Sequence, residues 1–233
     1  ALSSLAAILP ELLPEALAAA RKIQSDWGRT DALNSLAAIL PELLPEALAA
    51  ARKIQNEYYR AKALSSLAAI LPHDLLPKAL AAAREIQDDL SRADALSSLT
   101  AILPHDLLPE ALAAAREIQS ESSRAKALSS LAAILPELLP EALAAARKIQ
   151  SDLSRALALS RLAAILPHDL LPEALAAARE IQDEHYRALA LNNLAAILPH
   201  DLLPEALVAA REIQDEHYRA LALNNLAAIL PHD

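Results

Sequence analysis

The stretch Leu194 to Gln214, LAAILPHDLLPEALVAAREIQ, recurs in near-copy along the whole 233-residue chain. The Leu that opens LAAILP (LTAILP at one place) stands at Leu5, Leu36, Leu67, Leu99, Leu131, Leu162, Leu194 and Leu226, so every step is 31 or 32 residues. A fixed period of that length is the mark of a solenoid of small stacked units, none of which can bury its own apolar face alone.

The difference in step length sits in one connector, which reads Pro-Glu-Leu-Leu-Pro in short repeats and Pro-His-Asp-Leu-Leu-Pro in long ones. These connectors occupy residues 10–14, 41–45, 72–77, 104–109, 136–140, 167–172 and 199–204, and all fifteen prolines fall in them or in the final partial copy. Proline removes a backbone donor and crowds the preceding turn, so no helix runs through the pair uninterrupted. Between connectors, Leu13, Ala16, Leu17, Ala20 and Ile23 recur at the spacing of one helical face. After a polar break, Leu191, Leu194, Ala195 and Leu198 mark a second helix. The prediction is an all-α αα-hairpin solenoid of seven repeats, wound as a right-handed superhelix, with residues 1–9 as a leading half repeat. An array has no internal boundary, so residues 1–233 read as a single domain. In the long connectors Asp74, Asp106, Asp169 and Asp201 are expected to cap the helices that follow.

Hydrophobic residues make up 55% of the chain and aromatics 2%, with no Phe, Met or Cys, so the core must be Leu, Ile and Ala. Zero cysteines suit a reducing, cytoplasmic setting. The net charge of −9 argues against a nucleic-acid partner. No segment free of Asp, Glu, Lys and Arg is longer than Ala188 to His200, far short of the ~20 apolar residues that span a bilayer. The chain opens without Met or leader inside a helix-like stretch, which suggests excision from something longer or deliberate construction. Arg179 to Asp201 and Arg211 to Asp233 are identical over 23 residues, the mark of recent duplication or of a designer. The terminal helices are as apolar as internal ones, so Leu5, Ile8, Leu223, Leu226 and Ile229 are expected to promote end-to-end self-association.

The spacing Leu191-x2-Leu194-Ala195-x2-Leu198, followed by Ala206-x3-Ala210, resembles the tetratricopeptide pattern, with Leu and Ala in place of that family's aromatic and Gly positions. The phrase ALxxLAAILPxxLLPEALAAAREIQDE resembles the helical sensor arrays of bacterial STAND-class NTPases, over nearly the whole chain. That second resemblance implies a ligand- or protein-sensing role, with any ATPase a separate part, because this chain contains no Gly-rich phosphate loop. The first implies that the second helix of each hairpin lines a concave groove.

Several motifs carry less than they suggest. The pairs His73-Asp74, His105-Asp106, His168-Asp169, His200-Asp201 and His232-Asp233 invite a metal-hydrolase reading. Pairs on consecutive stacked units should lie on the order of 10 Å apart, whereas metal ligands converge to about 2 Å from one ion. The seven Ile-Gln steps lack the register of a calmodulin-binding helix. Each second helix opens with an Arg (Arg29, Arg60, Arg92, Arg124, Arg155, Arg187, Arg219) three residues after an acid, which reads as an i, i+3 ion pair. All five aromatics (Trp27, Tyr58, Tyr59, Tyr186, Tyr218) and the one Gly, Gly28, cluster at this bend as an edge feature. No cofactor, metal or catalytic group is nominated, and the chain reads as a non-enzyme.

The informative positions are those where near-identical copies differ. One runs Trp27, Tyr58, Leu90, Ser122, Leu153, His185, His217; four residues on, Asp31, Lys62, Asp94, Lys126, Leu157, Leu189, Leu221; four further, Ser35, Ser66, Ser98, Ser130, Arg161, Asn193, Asn225. A spacing of four puts all three on one stripe of the second helix. Its signs alternate over the first half, and it turns apolar over the second, flanked by Asn192, Asn193, Asn224 and Asn225. Such a stripe suits an extended peptide, the paired amides meeting its backbone and the leucines its side chains. Three readings follow: a non-catalytic scaffold for a protein or peptide, a constructed repeat protein with no ligand, and a metal-dependent hydrolase using the His-Asp rows.

Overall fold

A computed structural model describes residues 13–227, which form fourteen α-helices joined by short turns, with no strand among the described residues. The first helices of the hairpins are α1 (Leu13–Arg21), α3 (Leu44–Arg52), α5 (Leu76–Arg84), α7 (Leu108–Arg116), α9 (Leu139–Lys148), α11 (Leu171–Arg179) and α13 (Leu203–Arg211). The second helices are α2 (Asp26–Ala37), α4 (Glu57–Ala68), α6 (Asp89–Thr100), α8 (Glu121–Ala132), α10 (Asp152–Ala163), α12 (Glu184–Ala195) and α14 (Glu216–Ala227). The fold is therefore the all-α hairpin solenoid that the periodicity predicts. Backbone proximity divides the chain into two compact units, Ala1–Ser120 and Glu121–Asp233, built to one plan.

Each first helix opens on Leu-Pro, with the proline in the first turn, where its missing donor costs nothing. The chain enters through a turn of 3-10 helix, as at Pro41–Leu43 and His73–Leu75. That turn overturns the capping role expected of Asp74, Asp106, Asp169 and Asp201. The residue before each first helix is a leucine in helical conformation, and no side chain caps it. These aspartates are already inside the tightened turn, and Pro at the helix start removes one of the amides a cap would receive. Side-chain caps occur on the second helices, where Ser25, Asn56, Asp88, Ser151 and Asp183 each accept the amide three residues on.

First and second helices differ in what they bury. In α3 one face is covered, with Ala47 and Ala51 at 0% exposure and Leu48 at 3%. In α4 the buried set Ala61, Ala63, Leu64, Leu67 and Ala68 spreads over a wider arc, because this helix packs on its own hairpin partner and on the second helices of adjacent repeats. Within the first unit α2 packs on α4 and α4 on α6; within the second α8 packs on α10, α10 on α12 and α12 on α14. Alanine permits that close approach. Each fully buried leucine, such as Leu64 and Leu67, contributes about 1.5–3 kcal/mol.

The two identical copies show which face does the stacking. Ala188, Leu191 and Ala195 are buried in α12, whereas their counterparts Ala220, Leu223 and Ala227 in α14 are exposed or half-buried. Leu226, expected to stand wet at the end of the array, is 1% exposed, on a helix that packs on both α13 and α12. Leu5, Ile8 and Ile229 lie outside the described residues.

Candidate functional site

The hairpin bend is built without any residue of positive φ among those described. In the second repeat the last amides of α3 close 3-10 bonds, Lys53 to Ala50 and Ile54 to Ala51, before Asn56 extends the chain at ψ 116°. In five repeats the Arg that opens the second helix then reaches back across the bend, whereas Arg92 donates to the Glu117 carbonyl of the next repeat at 3.5 Å. Arg29 donates to the Ile23 carbonyl at 3.1 Å, Arg60 to Ile54 at 3.2 Å, Arg155 to Ile149 at 2.9 Å, Arg187 to Ile181 at 3.3 Å and Arg219 to Ile213 at 2.9 Å. The expected i, i+3 ion pairs form at Arg29–Asp26, Arg60–Glu57, Arg92–Asp89, Arg187–Glu184 and Arg219–Glu216. At Arg155 the pair is not made, since Asp152 turns to other donors.

Those donors expose a role that pairwise sequence reading missed. At Glu57, Asp89, Glu121, Asp152 and Glu184 the acid that begins the second helix accepts backbone amides of the next repeat's bend. Glu57 receives the amides of Gln87 and Asp88 at 3.0 and 2.5 Å, and Asp89 that of Ser120 at 2.6 Å. Asp152 receives Gln182 and Asp183 at 3.1 and 2.7 Å, and Glu184 receives Gln214 and Asp215 at 2.7 and 2.8 Å. The amide bonds from Gln214 and Asp215 hold the Glu184 carboxyl below the usual carboxylate range. At Asp89 burial pushes the carboxyl up, but the Ser120 amide, the Arg92 guanidinium and the Gln119 amide outweigh it and leave the carboxyl lowered. An acid recurring 31 or 32 residues apart beside a bend was the available signal.

The variable stripe runs along the second helices, exposed at some positions and half-buried at others. In the first unit Asp31 and Lys62 are exposed, and Asp94 is half-buried. Lys62 is engaged, its ammonium 5.3 Å from the Trp27 ring centroid. Trp27 stacks on Tyr59 at 5.0 Å, and Tyr58 meets Tyr59 edge-on. In the second unit Lys126 and Leu189 are half-buried, while Leu157, Arg161, Leu221, Asn224 and Asn225 are exposed. His185 stacks on Tyr186 at 5.0 Å and on Tyr218 of the next repeat at 4.8 Å. The aromatics of the bend thus join consecutive repeats.

The third stripe position is tied down. Ser35, Ser66, Ser98 and Ser130 return hydroxyl bonds to the carbonyl four residues back. Asn193 donates to Ser160 Oγ at 2.8 Å and to the Leu189 carbonyl at 2.9 Å, which leaves its Oδ1 as the group available to a peptide. Asn192 holds a buried Oδ1 without a partner. The Asn193 amide nitrogen is thus bonded within the helix stack, whereas Asn224 and Asn225 are exposed. The apolar positions stay open: Tyr58, Leu90, Leu153, Leu157 and Leu221 are 40–59% exposed, and all lie on the stripe.

The four described His-Asp pairs are exposed on the connectors, and no cluster of three or more His, Asp or Glu able to hold a metal occurs among the described residues. His232-Asp233 lies outside them. No described helix is long and apolar enough to cross a membrane.

No family model matches the chain, and no curated protein matches its sequence. Among solved structures, that of Ton1535 from Thermococcus onnurineus NA1 aligns with 95% of this chain and 85% of that chain, at 18% identity and a TM-score of 0.32. The case for function therefore rests on the array's own surface.

Proposed function

We propose that the array is a non-catalytic scaffold that holds a protein or an extended peptide against the variable stripe of its second helices. One observation supports this most. Where near-identical copies differ, the side chains that differ include most of the large apolar groups left in solvent among the described residues, and exposed apolar patches of this kind mark contact sites. Leu153, Leu157, Leu189 and Leu221 offer a run of apolar ground in the second unit, with the Asn193 Oδ1 beside it to accept a backbone amide. The resemblance to STAND-class sensor arrays extends the proposal: the partner would be a signal read by a larger signalling protein. The negative net charge favours a protein over nucleic acid.

The test is a peptide selected by display against the intact chain. The double variant Asn193→Ala with Leu189→Asp is expected to weaken its binding by about tenfold or more while helical circular dichroism stays unchanged. Equal binding by parent and variant would reduce the stripe to drifted surface and favour a repeat protein constructed to fold without a ligand.

A further inference from the structure

A departure from the repeat on the first-helix side of the first unit is not used by the stripe. The third residue of each first helix reads Glu15, Glu46, Lys78, Glu110, Glu141, Glu173 and Glu205, so one copy carries the opposite charge. At four of the other copies this glutamate receives the arginine ending the preceding first helix: Arg21 to Glu46, Arg84 to Glu110, Arg147 to Glu173 and Arg179 to Glu205. Arg52 would meet Lys78 there. It keeps only the bond to Glu85, 2.8 Å away just past the end of α5, the counterpart of the Glu180 and Glu212 that Arg147 and Arg179 hold besides their first-turn glutamates. Lys78 is exposed and makes no ion pair among the described residues.

The two cations share a cleft. A hollow of about 240 Å³ opens between α3 and α5, lined by Pro45, Leu48, Ala49, Arg52, Leu75 and Lys78. Pro45 and Ala49 are exposed and supply apolar ground over the nearly buried Leu48 and Leu75, while Arg52 and Lys78 supply donors beside it. Arg52 spends one terminal nitrogen on Glu85 and keeps the rest of its fork. The volume lies below the ~300–1,000 Å³ of sites for drug-sized ligands, so the occupant is small.

We propose that this cleft binds a carboxylate carried on a short branched alkyl group. Arginine and lysine would hold the two oxygens by charge-assisted bonds, and the alkyl group would cover the exposed faces of Pro45 and Ala49. That chemistry belongs equally to a free short-chain acid and to the C-terminus of a peptide ending in leucine.

Titration calorimetry on the full chain, with isovalerate, with N-acetyl-Ala-Ala-Leu and with its C-terminal amide, tests the idea. Saturable binding of a carboxylate is expected, with the amide about tenfold weaker or worse. The tighter of isovalerate and the tripeptide identifies the source. Lys78→Glu restores the residue of the other six repeats, so it is expected to keep the fold and lose the binding. Glu110→Lys, beside Arg84, is expected to create a second site and raise the stoichiometry. The proposal is overturned if neither carboxylate saturates, or if Lys78→Glu binds as well as the parent. Neither result bears on the stripe, which lies on other helices.

Discussion

The arginine that opens each second helix stands where a helix dipole disfavours a cation, yet it recurs in every repeat. In five repeats the bend resolves this, because the guanidinium donates to the isoleucine carbonyl just past the preceding first helix, the end that favours positive charge. Arg60→Ala removes the bond to Ile54 and leaves Glu57 without its cation, so a loss of about 1–3 kcal/mol in denaturant unfolding is expected. Arg21→Ala, which breaks an exposed pair with Glu46, should cost only about 0–1 kcal/mol. The acids carry a pH dependence of definite sign. The Glu184 and Asp89 carboxyls are lowered by the bonds described above, so as pH falls the unfolded chain, with values near ~3.9–4.3, takes up protons first. Their contribution is present above about pH 5 and is lost as pH falls through ~4 toward the folded values. Glu184→Gln should flatten the dependence of unfolding midpoint on pH in that window; an unchanged slope would remove Glu184 from the account.

At the scale of the helix, the two members of a hairpin start by different means. A second helix needs a side chain to take its first amides, and Asp88, accepting from Ser91 at 2.8 Å, is such a cap. Asp88→Ala is expected to cost about 0.5–2 kcal/mol. A first helix starts from a 3-10 turn and a proline, so Asp74→Ala should change stability by less than about 0.5 kcal/mol. Thermal unfolding of the two variants side by side separates these cases. The insertion that turns a 31-residue step into a 32-residue one falls in this connector, where no side-chain cap depends on register.

For the molecule as a whole, the identical copies serve as an internal control. What α12 buries against its neighbour, α14 presents at Ala220, Leu223 and Ala227. For the 233-residue chain we propose that this face takes a second copy, with association that grows with concentration in sedimentation velocity and is weakened by Leu223→Asp. A monomer at all concentrations would refute it. Because burial of Leu, Ile and Ala holds the stack, adding a chelator should leave helical circular dichroism unchanged.

Periodicity and proline placement were enough to read the hairpins, since a 31- or 32-residue repeat of Leu and Ala leaves few ways to bury its apolar faces. They also single out the positions of the stripe, because near-identical copies make each difference visible. What a residue binds across repeats was not legible. Glu57 was seen beside Arg60, three residues away, while the amides of Gln87 and Asp88 come within reach only once one hairpin is set on the next. Asn193 read as a free amide until the stack brought Ser160 within 2.8 Å. Local pattern determines helices because their bonds close within four residues; contacts some thirty residues apart depend on the stacking geometry, which only the tertiary structure decided.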